Sequence, residues 1–277
     1  MRPIAVEWLI AHRLPGWLVP DYFALVALST IAATAFALRR ARADGAERSH
    51  QLRAAAIAYL AALAGGYLVE ALRRVPAAIA ARSLGPLAGA GRAAYGGLLC
   101  AMIGATIYLH AHRESIGAFF DRAAAGTGLV FAAVRTGCFL AGCDYGRVTA
   151  SPLGVRFPPG SLAAIDHARR GWIQSGARSL PVHPTELYEA AVGLASAAIA
   201  WALLRRARRR DGRVFLAWLA LYAAGRFAVE LLRGDEARGV YFGLSTAQWI
   251  SLALLAFVAI AGSCTARSRS ASPVPSA

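Results

Sequence analysis

Lysine is absent from this chain, charge is sparse, and cysteine is rare. Of 277 residues only 16% are charged and four are cysteines, while 57% are hydrophobic. An average soluble domain is about 45–50% apolar, so a water-soluble globule is excluded as the main reading. Four cysteines, Cys100, Cys138, Cys143 and Cys264, two of them inside apolar runs, exclude a disulfide-stapled secreted domain. All 30 basic residues are arginine, to which no functional weight is attached. The net charge of +15 invites a nucleic-acid reading, but the arginines fall in short runs between apolar segments rather than along one polar face. No nucleic acid is expected, and the runs read as topology signals.

What is present is hydrophobic length. Mean hydropathy is +0.47, and a spanning helix needs about 20 mainly apolar residues. Seven stretches meet that length or come near it: 21–38, 54–72, 93–111, 118–140, 186–204, 214–232 and 243–263. The fold expected is therefore all-α, a polytopic membrane protein of about seven transmembrane helices with a small extracytoplasmic loop region. Residues 1–20 carry Glu7, His12, Arg13 and three prolines and do not read as a cleavable signal; with Trp8 and Trp17 they form an amphipathic, interfacial segment. Residues 21–264 form the membrane domain, with 143–185 inserted as the longest loop, and 265–277 read as a disordered tail. The arginine runs in 39–53 and 205–213 and after the seventh helix alternate correctly for one side, assigned to the cytoplasm. The amino terminus is then outside and the carboxyl terminus inside. The stretch 73–92 puts four arginines on the outer side and is expected to lie along the membrane surface.

Two arginines lie within apolar helices, Arg135 in LVFAAVRTGCFLAG and Arg226 in LAWLALYAAGRFAVELLRG. A guanidinium at membrane depth costs about 2.5–3.5 kcal/mol by insertion scales, so each needs a partner, water or the protein interior. Two readings stay open, an arginine paired with a carboxylate to lock helices and an anion site. Arg226, Glu230 and Arg233 share one helix face at i, i+4, i+7, where Glu230 serves as a base or merely neutralises Arg226. HPTELYE places His183, Glu186 and Glu189 at a helix mouth, where acids are also ordinary dipole complements. RTGCFLAGCDYGR is a glycine-rich turn leaving a helix, whose backbone N–H groups beside Arg135 and Arg147 suit an anionic headgroup. Cys138 and Cys143 within it are expected to lie close enough to pair. No metal is expected, because no second Cys/His pair of suitable spacing lies nearby. Tyr95, Gly96 and Gly97 open another helix with small residues, which alone more often signals helix packing.

Taken in order, these segments resemble the prolipoprotein diacylglyceryl transferase family over most of the chain, from about Tyr22 to Ser251. The resemblance is strongest at RTGCFLAGCDYG, which is similar to the family signature at Arg135, Gly137, Phe139, Gly142 and Gly146. HPTELYE is similar to HPxQLYE, matching His183, Pro184, Leu187, Tyr188 and Glu189, and GRFAVELLRGD matches the arginine-and-glutamate helix at Arg226, Glu230 and Arg233. Tyr22 sits where the family has a first-helix tyrosine, and Asp121 fits an aspartate before the fourth helix. The chain departs in three places: Tyr95 stands for the histidine before the glycine pair, Cys138 for the signature asparagine and Cys143 for its glutamate. Glu186 also replaces the usual glutamine. The cysteine-bearing signature is that of a divergent branch.

The resemblance implies transfer of diacylglyceryl from a phospholipid, phosphatidylglycerol, to a cysteine thiol of a lipoprotein precursor presented in its signal peptide, at the bacterial inner membrane and without a cofactor. The implied catalytic residues are Arg135, Arg226, Glu230, His183 and Glu189. The implied substrate-binding residues are Tyr22, Tyr95, Gly96, Gly97, Gly137, Cys138, Gly142, Cys143, Gly146, Tyr188 and Arg233. Glu230, His183, Glu189 and Tyr95 are the candidates for general base. Two rival readings are a transporter-like or non-catalytic lipid-binding membrane protein, for which no internal repeat is found, and a membrane thiol-redox protein using Cys138 and Cys143.

Overall fold

A computed structural model describes residues 22–85, 94–234 and 239–270. The interfacial segment expected over 1–20 and the tail beyond 270 lie outside the described residues. The elements in order are α1 (Tyr22–Ala43), α2 (Arg48–Ala80), α3 (Ala94–Ala111), α4 (Ile116–Ala141), the short α5 (Leu162–Arg169), α6 (Thr185–Arg206), α7 (Arg213–Glu230), the two-residue strands β1 (Val240–Tyr241) and β2 (Leu244–Ser245), and α8 (Thr246–Ser270). Each of the seven apolar stretches read from the sequence falls on one of the long helices.

Among the described residues, five of them are long and apolar enough to cross a membrane, over Ala24–Ala43, Arg48–Leu72, Ile116–Ala141, Thr185–Arg206 and Thr246–Ser263. Helix α3 is apolar but shorter, and α7 carries Arg213, Arg226 and Glu230 along 18 residues. Large apolar side chains stay exposed along the helices, among them Leu28, Ile31, Leu60, Ile103, Ile107, Leu194, Phe257 and Ile260. In water so much exposed apolar surface would drive association; facing lipid it costs nothing, and the helical backbone leaves no unpaired amide there.

Two helix ends differ from expectation. Helix α2 runs 33 residues through Pro76 to Ala80, about 50 Å at 1.5 Å per residue, so residues 73–80 continue a helix rather than starting a surface-lying segment. Residues 86–93 of that stretch lie outside the described residues. At the other end of the chain α8 continues to Ser270, so 265–270 extend a helix where a disordered tail was expected.

The chain divides into two compact units. In the unit covering 34–122 and 209–212, α2 and α3 pack closely because small residues meet at their crossing. A Cβ on Gly65 would stand 2.3 Å from Cys100 Sγ, one on Gly96 2.7 Å from Val69 Cγ2, and one on Gly97 3.0 Å from the Ala62 carbonyl. Ala54, Ala105, Leu109 and Phe119 form the buried core beside this seam. At one end of it Asp44 accepts from Arg122 Nε at 2.9 Å and Arg210 Nε at 3.3 Å, and Arg122 Nη1 donates to Gln51 Oε1 at 3.1 Å. Burial pushes the Asp44 carboxyl up, but the two guanidiniums outweigh it and hold it below its ordinary value.

In the unit covering 1–33, 123–208 and 213–277, α4, α6 and α7 pack through glycines in the same manner. A Cβ on Gly128 would meet Ala197 Cβ and the Gly193 carbonyl at 2.8 Å, and one on Gly225 would meet Val192 Cγ1 at 2.5 Å. Trp218 and Tyr222 stack at 5.6 Å with Phe131 against Tyr222 at 4.4 Å, filling the space beside these contacts. The long insertion has its own small core of Tyr145, Phe157, Ala163 and Val182. Its helix α5 is capped by Ser161, whose hydroxyl accepts from the Ala164 N–H. His167 Nδ1 accepts from the Leu180 N–H at 3.1 Å. Burial and the neighbouring Arg170 depress its pKa, so this imidazole is a neutral strut.

Candidate active site

Helix α4 delivers Arg135 and then ends abruptly. The Cys143 N–H reaches back to the Cys138 carbonyl at 3.2 Å and the Gly142 N–H to the Phe139 carbonyl at 3.0 Å, with Gly142 at φ +68. This is the paired helix-stop pattern that requires a left-handed residue, for which glycine carries no Cβ penalty. The residues that follow bond to distant parts of the chain. Asp144 also takes a left-handed backbone, φ +66, and its carbonyl accepts from Thr185 Oγ1 at 2.8 Å. The Gly146 N–H donates to the His183 carbonyl at 2.9 Å, and the Arg147 N–H to the Leu232 carbonyl at 2.8 Å. Gly146 sits so tightly that a Cβ would lie 2.5 Å from the His183 carbonyl. The turn thereby ties the end of α4 to the start of α6 and the end of α7.

Six charged side chains meet where these ends meet. Arg135 Nε stands 2.5 Å from Glu189 Oε2, while Arg226 Nη1 and Arg233 Nη1 stand 3.4 and 3.6 Å from Glu189 Oε1. These are close ionic contacts rather than aligned hydrogen bonds. Arg226 also donates to Glu230 one turn along α7. Asp144 forms the open end of the cluster, accepting from Arg135 Nη1 at 2.8 Å through one oxygen and from Arg233 Nη2 at 2.7 Å through the other. Three guanidiniums face three carboxylates, so the group is electrically balanced. Glu189 and Glu230 are 1% exposed at the side chain, but Asp144 is 33% exposed. Burial alone would push the Asp144 carboxyl up; Arg233 and Arg135 outweigh it and hold it well below the usual carboxylate range.

The structure therefore brings together Arg135, Arg226, Glu230, Glu189 and Arg233. It also corrects the reason for their meeting. The sequence reading offered only Glu230 as a carboxylate partner, for Arg226, and left an anion site open for the arginines; instead Glu189 contacts all three arginines, and Asp144 supplies a third carboxylate. Asp144 was missed, although it is the one acid in RTGCFLAGCDYGR and is flanked by Arg135 and Arg147, which is the signal that finds it.

The remaining expected residues divide by place. Gly137 and Cys138 are buried in the last turns of α4. The Cys143 thiol donates to the Cys138 carbonyl at 3.6 Å. The two thiols are free, with sulfurs within 4.8 Å of each other and of an Asp144 oxygen. Gly142 and Gly146 shape the turn. His183 is half-buried outside the ion cluster, its Nδ1 3.3 Å from the Tyr188 hydroxyl. Tyr95, Gly96 and Gly97 belong to the other compact unit, where Tyr95 is buried and the glycines line the crossing with α2. Asp121, also in that unit, accepts from the Gly212 N–H at 3.0 Å. The side chain of Tyr22 lies outside the described residues. Glu186, seen in the sequence only as a replacement, is fully buried with neither carboxylate oxygen hydrogen-bonded among the described residues.

Apolar helices long enough to cross a membrane, closing on buried guanidiniums at a loop-rich end, define a polytopic membrane protein. A family model described as prolipoprotein diacylglyceryl transferase matches residues 10–263, and the chain belongs to that family. Among curated relatives, the phosphatidylglycerol–prolipoprotein diacylglyceryl transferase of Clostridium tetani is 29% identical over 91% of this chain and 93% of its own length. That of Dehalococcoides mccartyi is 30% identical over 89% of each chain. The second such enzyme of Clostridium perfringens is 26% identical over 89% of this chain and 91% of its own.

Proposed function

We propose that this chain is a bacterial inner-membrane transferase that moves diacylglyceryl from phosphatidylglycerol to the cysteine thiol of a lipoprotein precursor held by its signal peptide. The amino terminus and the 143–185 loop lie outside the cytoplasm, and the 39–53 and 205–213 loops inside. The observation that carries this reading is the convergence of Arg135, Arg226 and Arg233 on shared carboxylates, with Asp144 as the partly exposed member bridging two guanidiniums.

A carboxylate held by two planar guanidiniums occupies the kind of seat a phosphate takes. In the proposed reaction the donor's phosphate contacts Arg135 and Arg233 as Asp144 yields or shares its place, and Glu189 and Glu230 keep the guanidinium planes aligned. The acceptor thiol loses its proton, and the thiolate attacks the glyceryl carbon that carries the phosphoester. A carbon–sulfur bond forms, the carbon–oxygen bond breaks, and glycerol phosphate leaves with the electron pair. The arginines stabilise charge that grows on the departing phosphate. Glu189 and Glu230 are committed to arginines, so His183 is assigned the thiol proton in this scheme. Gly137, Cys138, Cys143 and Tyr188 line the acceptor side.

The test is to express the chain in a bacterium depleted of its own diacylglyceryl transferase and to assay the purified protein with labelled phosphatidylglycerol and a lipobox peptide. Growth rescue and a labelled thioether product are expected. A correctly inserted protein that yields neither result would overturn the proposal.

A further inference from the structure

A second group of ligand atoms stands in the unit that contains α2 and α3. Glu47 closes the turn before α2, His50 lies in the first turn of α2, and Glu114 follows the end of α3. Their ligand atoms all lie within 4.8 Å of one another. The His112 ring is beside them, 5.2 Å from that of His50. We propose that Glu47, His50 and Glu114, with His112 as fourth ligand, bind a divalent transition metal ion of the zinc class.

The outer contacts carry this assignment further than proximity does. Metal-binding imidazoles present one nitrogen to the ion while the other is fixed by a hydrogen bond that sets tautomer and ring plane. Both histidines meet that condition through one residue. His112 Nδ1 lies 2.8 Å from the Tyr108 carbonyl, an acceptor only, so this nitrogen carries the proton and leaves Nε2 with its lone pair. His50 Nδ1 lies 3.0 Å from the Tyr108 hydroxyl, and its Nε2 faces Glu47 Oε2 at 3.7 Å. Ser49 donates to the other Glu47 oxygen, anchoring that carboxylate too. No hydrogen bond or ion pair engages the Glu114 carboxylate among the described residues.

Charge and donor chemistry agree. Two carboxylates within ligand distance repel each other, and a doubly charged ion between them leaves the site neutral. Two imidazoles with two carboxylates suit zinc and its neighbours better than calcium or magnesium, which favour oxygen alone. Zinc takes such nitrogens and oxygens at about 2.0–2.2 Å, within reach of side-chain rotation because Glu47 is exposed and the other two are half-exposed. The ion would clamp the beginning of α2 to the turn after α3. Among the described residues Cys138, Cys143 and Asp144 form the other candidate set, but Asp144 already holds two arginines, which a cation would have to displace.

The experiment uses the full, tag-free chain in detergent, stripped with a chelator and titrated with Co2+. One equivalent per chain is expected, with the visible bands of a four-coordinate nitrogen–oxygen site, displacement by Zn2+ and a rise in Tm. The double variant His50→Gln/Glu114→Gln should lose stoichiometric binding, and Tyr108→Phe should weaken it about tenfold. The Cys138→Ser/Cys143→Ser variant should bind as the parent does. Three results would overturn the site: no stoichiometric Co2+ binding by the parent chain, binding kept by the double variant, or a thiolate charge-transfer band that vanishes with the cysteines. The first needs no variant to fold.

Discussion

Asp144 holds two guanidiniums from a backbone conformation that few residues other than glycine adopt. Its lowered pKa is also a statement about stability. A carboxyl depressed in the folded state stabilises above its unfolded value, near ~3.9, and that contribution fades as pH falls through the folded value. Asp144→Asn should therefore cost about 1.5–3 kcal/mol at neutral pH, and the gap between variant and parent should close only well below pH ~4. Unfolding in detergent followed from pH 7 downward reads this directly, and a gap that closes near pH 6 would refute it.

Glu189 makes a sharper case, since it is buried and shared by three arginines. Removing one partner of a buried ion pair costs about 3–5 kcal/mol, so Glu189→Gln should destabilise the protein by that order as well as lower transfer. Arg135→Lys keeps the charge and loses the planar fork. Turnover with labelled phosphatidylglycerol is expected to fall strongly while insertion and yield hold. Unchanged turnover would remove Arg135 from the proposed phosphate seat.

At the scale of elements, glycine placement decides how near α4, α6 and α7 approach, and hence whether Arg135 reaches Glu189. A Cβ on Gly128 would strike the Gly193 carbonyl and Ala197 at 2.8 Å, and backbone cannot swing away as a flexible side chain can. Gly128→Val should sharply reduce the yield of folded protein. Gly262→Ala, with open space around the added carbon, should be neutral or stabilising by roughly 0.5–1 kcal/mol. Fluorescence-detected size exclusion separates the two outcomes.

The same elements explain what could be read in advance. Arg135 and Arg226 were legible because a charge inside an apolar run has no innocent place to go. Glu230 was legible as the partner of Arg226 from its i, i+4 spacing, but the other two partners were not, because Glu189 looks like a helix-start acid until α6 is rotated against α4, and Asp144 looks like a loop residue until the chain returns at Thr185. The glycines at 96 and 97 were ambiguous in sequence, and in the structure they line a helix crossing. Helix ends were misjudged where apolar character gave out before hydrogen bonding did, at Ala80 and Ser270.

For the whole molecule, the arginine-bearing loops set an orientation that reporter fusions can check. A phosphatase reporter, active only outside the cytoplasm, should be silent when fused within 39–53 or 205–213 and active within 143–185. Activity at either of the first two sites would invert the proposed topology and put the arginine cluster on the wrong side for a secreted acceptor.

The turn after α4 is fastened to α6 and α7 by main-chain bonds, amide to carbonyl at Gly146, Arg147 and His183. Such fastening is indifferent to what the neighbouring side chains are. Positions 138 and 143 can exchange an amide or an acid for a thiol, and the guanidinium at 135 stays where the peptide groups put it. The turn works as a socket with interchangeable contents, which gives a lineage room to alter the proposed acceptor side without rebuilding the proposed phosphate seat.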